Sequence, residues 1–405
     1  MSTTERADWL PVGQIIIGIL GALVSLVFSL IAIIAAVGMW LNQGGSAEML
    51  PFFMLATVGG LVLFCNTVSV VLAFRQMGGK LHEATKAKGR NLFLISSLAM
   101  LAFPLILIAG QLVNQSTGGW FLLPALSLLA LLLPIWWMVE LGRRGLPASS
   151  PQRTWGLISL SLTFMPILAM LAEVAVIVVI GVLIFSILSG QVEWAARFQQ
   201  VTIQLSQMEF DLAYLEELLR DLLRNPLVMP ALLLMAGGMM PLLEELIKPI
   251  GLWVLRKRRM TPADGFSAGL MCGACFAFFE SAVLIAQSGG TEWWQTVLLR
   301  VSTSLLHITA SGVVGWGLAS AWSEKRRGRA IVAILAAAGV HGLWNSMAII
   351  LLISGFLTDS TYFVSNTILS GLMGLILVGV LAALISINRA LRKQVESMPP
   401  TTGTS

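Results

Sequence analysis

Apolar stretches of twenty or more residues recur along the whole chain, separated by short polar segments. Ten can be drawn: Val12 to Trp40, Phe52 to Phe74, Asn91 to Val113, Trp120 to Leu141, Trp155 to Leu188, Leu227 to Leu255, Asp264 to Gln287, Gln295 to Ala321, Ala330 to Ser354 and Tyr362 to Ile387. At about 1.5 Å per residue each can cross the roughly 30 Å hydrocarbon layer of a bilayer. Lipid offers no partner to a backbone amide, so such segments must be helices. The pattern predicts an all-α, polytopic membrane helix bundle of about ten transmembrane helices.

A different period occupies residues 190–225. Phe198, Val201, Leu205, Met208, Leu212, Leu215, Leu219 and Leu222 alternate spacings of three and four, the seam of an amphipathic helix. The opposite face is acidic and polar, without the Lys-rich character of a membrane-surface helix. The seam predicts an extracytoplasmic helical linker that lies on the protein or the bilayer, or self-associates through residues 198–222.

Composition agrees with lipid as the solvent. The 405 residues are 57% hydrophobic and only 11% charged, where a soluble globular protein carries roughly a quarter charged residues. The formal charge of +5 would allow nucleic acid as a partner, but the distribution of the bases argues for a membrane and against nucleic acid. Arg6, the segments 75–90, 143–153, 256–259 and 325–329, and the tail from Arg389 to Lys393 hold 20 of the 25 Lys and Arg, on one side of the ten-span topology. The other side holds Arg197, Arg220, Arg224 and Arg300, and Lys248 lies within a span. The positive-inside rule then places both termini in the cytoplasm. The first apolar stretch is too long for the 7–15-residue core of a cleavable signal. Three cysteines make no disulfide framework. Cys272-x-x-Cys275 sits on a membrane helix beside Gly273 and Ala274, where small packing residues are expected, with metal or redox chemistry as the other readings.

Ionisable residues inside spans are costly and mark function. The first five spans carry chiefly Glu140 and, at mid-span, Glu173. From residue 227 onward the composition changes. Span six reads Pro241-Leu-Leu-Glu-Glu-Leu-Ile-Lys-Pro249, in which Lys248 stands i+4 from Glu244 and i+3 from Glu245, within reach of an intrahelical ion pair. The two acids diverge by about 100° and should face different neighbours. Span seven delivers Glu280 behind a Gly- and Ala-rich stretch suited to close helix approach. Span eight carries His307, four residues before Ser311, and span nine carries His341 and Asn345 on one face. Counted from the cytoplasmic ends, Glu244, Glu280, His307 and His341 lie roughly 17, 24, 21 and 17 Å deep. A shared level near the bilayer centre points to one convergent site. Carboxylate, imidazole and amide suit hydrolysis, with an acid or a metal activating water and Asn345 donating to an oxyanion. Two histidines and a glutamate also make a zinc triad, although no H-E-x-x-H is present.

Taken in order, Glu244-Glu245-x-x-Lys248, Phe276-Ala-Phe-Phe-Glu280, His307 with its Gly-rich helix, and His341-Gly-Leu-Trp-Asn345 resemble the four-motif signature of PrsW-type intramembrane proteases. That family is distantly similar to the CAAX-prenyl endopeptidase and bacteriocin-processing superfamily. The resemblance covers roughly residues 235–350. It implies a plasma-membrane endopeptidase of a bacterium or archaeon, grouped with metalloproteases and acting on a membrane protein or membrane-proximal peptide such as a single-span anti-sigma regulator. It further implies Glu244 or Glu245 as water activator, Glu280 and His307 as base or ligand partners, and His341 with Asn345 as ligand or oxyanion group. Glu280, His307 and His341 are the metal ligands it offers, with zinc the metal. Ser281 departs from the Asn that often follows the second motif, which weakens any role for that side chain.

The expected organisation is an accessory five-helix region over 1–189, the linker over 190–225, a catalytic bundle over 226–388 and a cytoplasmic tail over 389–405. Two other readings compete. A secondary transporter would use the five-plus-five division as an inverted repeat, with polar or broken helices matching in both halves; Glu173 alone in the first half argues against it. A non-catalytic scaffold would not need the Glu and His motifs intact.

Overall fold

The computed structural model describes residues 9–43, 47–79, 91–116, 118–207, 211–255, 260–287, 293–357 and 366–397. Arg6, most of the basic segment 75–90, Arg256 to Arg259, Met208 and Tyr362 lie outside them. The described residues are helical throughout, without strands, and nine helices are long and apolar enough to cross a membrane, or ten when one bent pair is taken as a single span. The chain is an all-α polytopic membrane protein.

The helices follow the hydropathy closely, and where they break, proline is the reason. Helices α1 (Trp9–Gln43) and α2 (Leu50–Met77) each form one unbroken segment. The third apolar stretch is instead two helices, α3 (Leu92–Met100) and α4 (Phe103–Asn114), bent by 41°. Pro104, at the start of α4, has no amide to donate back into α3 and its ring excludes the preceding turn. Helix α5 (Leu123–Gly142) comes next. The fifth stretch, expected as one span, is one continuous candidate span, Pro151–Ser189, with a single turn residue at Phe164 between α6 (Pro151–Thr163) and α7 (Met165–Ser189) and Pro166 just past it. Together they cover 39 residues, about 58 Å of helix, longer than the hydrocarbon layer alone requires.

The expected linker helix is also two helices. These are α8 (Val192–Gln207) and α9 (Leu212–Arg224), whose first turn is capped by the Asp211 carboxylate accepting from the amides of Ala213 and Tyr214. Span six follows as α10 (Val228–Leu234), a π-helical turn over Met235–Met239, α11 (Met240–Ile247) and α12 (Ile250–Leu255). Pro249 ends α11, so Lys248 stands in a turn rather than on a continuous helix with Glu244 and Glu245. The remaining helices are α13 (Pro262–Gln287), α14 (Trp293–Ser323), α15 (Arg327–Phe356) and α16 (Asn366–Glu396).

These helices divide into two compact units. The first comprises Met1–Ile167, Ile247–Ile334 and Gly379–Ser405. Its centre is the pair α13 and α14, each about 72% buried through its apolar window. Gly265, Gly269 and Gly273 repeat every four residues along α13, and a Cβ at any of them would come within 2.4 Å of α14, from the Ala319 Cβ or the carbonyls of Gly315, Ser311 and His307. Two helices in backbone contact lock their mutual register, which is what glycine contributes here. Cys272 and Cys275 are free, fully enclosed thiols on this helix; Cys272 accepts from the Ser161 hydroxyl at 3.6 Å. Polar clamps join other helices of the unit: Asn66 bonds Ser159 and Thr163, and Asn388 donates to the carbonyls of Gly142 and Arg144 at 2.7 and 3.0 Å. Glu140 is held by Arg143 and Trp136.

The second unit comprises Leu168–Leu246 and Leu335–Val378. Most of α7 presents apolar side chains outward, among them Met170, Leu171, Val178 and Val182. Such a surface is stable against lipid and not against water. Helices α8 and α9 fold back on one another. Leu188, Trp194, Leu218 and Val228 form a buried cluster with Phe198, Val201, Tyr214 and Leu222 against it, and Arg197 bonds Asp221 at 2.7 Å. Only part of the predicted seam is used in this way. Leu205, Leu212 and Leu219 are exposed.

Candidate active site

In the second unit the π-helical turn brings Gly237 against α15. A Cβ at Gly342 would stand 1.8 Å from the Gly237 carbonyl oxygen, and one at Gly237 would stand 2.1 Å from the Ser346 hydroxyl. The side chain of Asn345 donates to the Ala236 carbonyl at 3.3 Å, within the same turn. A π turn leaves a backbone carbonyl without its ordinary helical partner, and the amide supplies one. This crossing sets α11 beside His341. His341 Nδ1 lies 3.2 Å from Glu245 Oε1, and His341 Nε2 lies 3.8 Å from Glu244 Oε2. All three residues are buried. The two acids therefore do not face different neighbours: they bracket one imidazole, because its nitrogens point in opposite directions.

The chemistry of this trio follows from donor roles. A carboxylate only accepts, so Nδ1 carries the proton that Glu245 takes, and the Nε2 lone pair is directed toward Glu244. An imidazole whose second nitrogen is held by a carboxylate is the arrangement that orients metal-binding or base histidines. Two ligands on a tetrahedral ion with bonds of about 2.0–2.1 Å stand roughly 3.3–3.4 Å apart. The 3.8 Å between Glu244 Oε2 and His341 Nε2 is a little wider than that and longer than a direct hydrogen bond. A carboxylate oxygen and an imidazole lone pair at this spacing suit a shared water or a divalent ion.

The first unit carries a second assembly. His307 Nδ1 is 2.9 Å from the Lys248 ammonium, and His307 Nε2 is 2.8 Å from Glu280 Oε2. An ammonium only donates, so Nδ1 accepts and the proton sits on Nε2, the nitrogen that faces Glu280. Phe276 packs edge-on against His307 with centroids 5.1 Å apart, and Lys248 stands 4.3 Å from the same ring's centroid. Glu280 also receives Arg300, whose terminal nitrogen is 2.7 Å from Oε2, while Arg300 Nε donates to the Ser281 hydroxyl at 3.2 Å. Lys248, Arg300 and His307 are buried, and the Glu280 side chain is 36% exposed. Ser311 is fully buried where α14 meets Gly273.

Each predicted site residue thus has a place. Glu244, Glu245, His341 and Asn345 gather in the second unit, and Lys248, Glu280 and His307 in the first. Glu173 stands half-buried on α7. Arg300, counted among the extracytoplasmic-side charges and not among the site residues, is a buried residue of α14. Its signal was available, since it precedes His307 by seven residues, two helical turns, and so shares its face.

A family model described as PrsW family intramembrane metalloprotease matches residues 162–373, more than half of the chain. The match is wider than the four motifs, taking in α7, the α8–α9 pair and the first part of α16. No curated protein and no solved structure matches the chain.

Proposed function

The chain belongs to the PrsW family of intramembrane metalloproteases and is an intramembrane peptidase; from that premise we propose that Glu244 activates the water that attacks the scissile peptide carbonyl. The observation that carries the reading is His341 held between Glu244 and Glu245. Glu245 fixes the ring, so the Nε2 lone pair and the Glu244 carboxylate face the same small volume. There Glu244 takes a proton from water as it adds to the carbonyl and returns it to the leaving amine. Asn345, anchored through one amide hydrogen to Ala236, offers its other to the developing oxyanion. The sequence-based depth count places the Glu280–His307 pair at the same level, and on that count it serves the same reaction, with Lys248 holding the His307 tautomer.

The family's description implies a metal, and the donor set fits one. Glu244 and His341, whose Oε2 and Nε2 stand 3.8 Å apart within the second unit, would hold it as members of the donor set. Glu280, expected in that set, is already engaged by Arg300 and His307. A bound zinc would supply Lewis acidity and lower the pKa of its water toward about 7.

The substrates in this reading are membrane proteins or membrane-proximal peptides, with a single-span regulator of the anti-sigma kind as the first candidate. The charge distribution supports both termini in the cytoplasm, the resemblance supports a prokaryotic plasma membrane, and residues 1–189 serve in this reading as an accessory region. Family membership removes the ground for the transporter reading. The test is co-expression of a tagged single-span substrate with wild type, Glu244→Gln, Glu280→Gln and His341→Ala. Cleavage by wild type alone is expected, and cleavage by all four would sink the assignment.

A further inference from the structure

Arg300 has no counterpart in the four motifs, yet it is buried to 7% exposure inside an apolar helix. A guanidinium in such a place costs several kcal/mol unless its hydrogen bonds are met. Here two adjacent residues of α13 face it: Glu280 Oε2 forms an ion pair with the terminal nitrogen at 2.7 Å, and Nε donates to the Ser281 hydroxyl at 3.2 Å. Glu280 Oε2 is the same atom that His307 Nε2 reaches at 2.8 Å. One oxygen is therefore approached from two points two turns apart on α14, on a side chain that is 36% exposed.

We infer that Arg300 and Ser281 form a positioning clamp for Glu280, which holds its carboxylate against His307 in one rotamer. The planar fork of arginine suits this, because Nε and a terminal nitrogen bond two side chains at once. Lysine would keep the charge but could not bridge Glu280 and Ser281 with fixed geometry. The inference also gives Ser281 a function: the hydroxyl in place of the family's frequent Asn is an acceptor for Arg300. It rests on the reading in which Glu280 takes part in peptide hydrolysis.

The test is a double-mutant cycle on the purified full-length protein in lipid, with kcat and KM for a single-span substrate. Arg300→Lys should lower kcat about 10-fold and Arg300→Gln about 100-fold, the range for a lost orienting partner, with KM within about twofold of wild type. Ser281→Ala should cost a few-fold in the wild-type background and nothing further in Arg300→Lys, since the bond it makes is already gone. A merely structural role predicts independent, additive losses. Equal effects of Ser281→Ala in both backgrounds, or wild-type kcat in Arg300→Gln, overturn the clamp. If Arg300→Gln does not fold, the Arg300→Lys cycle decides alone. Glu280→Gln separates the levels: inactive Glu280→Gln with fully active Arg300→Gln refutes the clamp only, whereas fully active Glu280→Gln refutes the underlying reading as well.

Discussion

Gly342→Ala should disable the enzyme from a position that touches no reacting group. A Cβ there would stand 1.8 Å from the Gly237 carbonyl oxygen, and ordinary contact begins near 3.4 Å, so the π turn and α15 must part by about 1.6 Å. Both partners are backbone at a helix crossing, and neither can rotate away. The shift falls one residue from His341, whose Nδ1 is 3.2 Å from Glu245 Oε1. Parting the helices by that amount carries the pair beyond hydrogen-bond reach and frees the ring. Misplacement of about 1 Å costs on the order of 100-fold in rate, and overpacking costs about 1–3 kcal/mol of stability. Gly339→Ala is the control on the same helix, because a Cβ there meets nothing within 4 Å. Measured as substrate cleavage in membranes at matched expression, Gly342→Ala should fall about 100-fold and Gly339→Ala should not change. Full activity in Gly342→Ala would refute the idea that this crossing positions His341.

Other predictions follow the same logic. Gly273→Ala, whose Cβ would come within 2.4 Å of the His307 carbonyl, should lower both thermal stability and activity through the α13–α14 register, read by a thermal-aggregation series and the cleavage assay. Lys248→Met removes the donor that fixes the His307 tautomer and should cost about 10–100-fold in kcat; wild-type kcat would contradict that role. Charge reversal at Arg197 or Asp221 should loosen the α8–α9 pair by less than about 1 kcal/mol, since both side chains are partly exposed, and the double reversal should restore protection from protease. Chelation should abolish cleavage and zinc should restore it; full activity after chelation would leave the Glu244 mechanism to act without metal.

Hydropathy made the helical architecture legible because a membrane imposes one long apolar run per crossing. The bend at Pro104 was less so, since proline is tolerated in membrane helices and only packing decides whether the chain bends. The same holds for Glu244 and Glu245. Helical geometry separates them by about 100°, but an imidazole accepts neighbours on opposite edges, and the partner helix that brings His341 between them is close only because Gly237 and Gly342 lack side chains. Lys248 was placed by assuming a helix that Pro249 ends. Arg300 was counted only as an extracytoplasmic-side charge, because counting bases along the chain does not see that Glu280, on another helix, is there to meet it.

The central claim is that Glu244 activates water while Glu245 only orients His341. The most direct measurement is kcat for purified Glu244→Gln and Glu245→Gln on one single-span substrate, at equal fold integrity. Glu244→Gln should lose at least about 1,000-fold, and Glu245→Gln about 10–100-fold. Equal losses, or a larger loss in Glu245→Gln, would contradict the account.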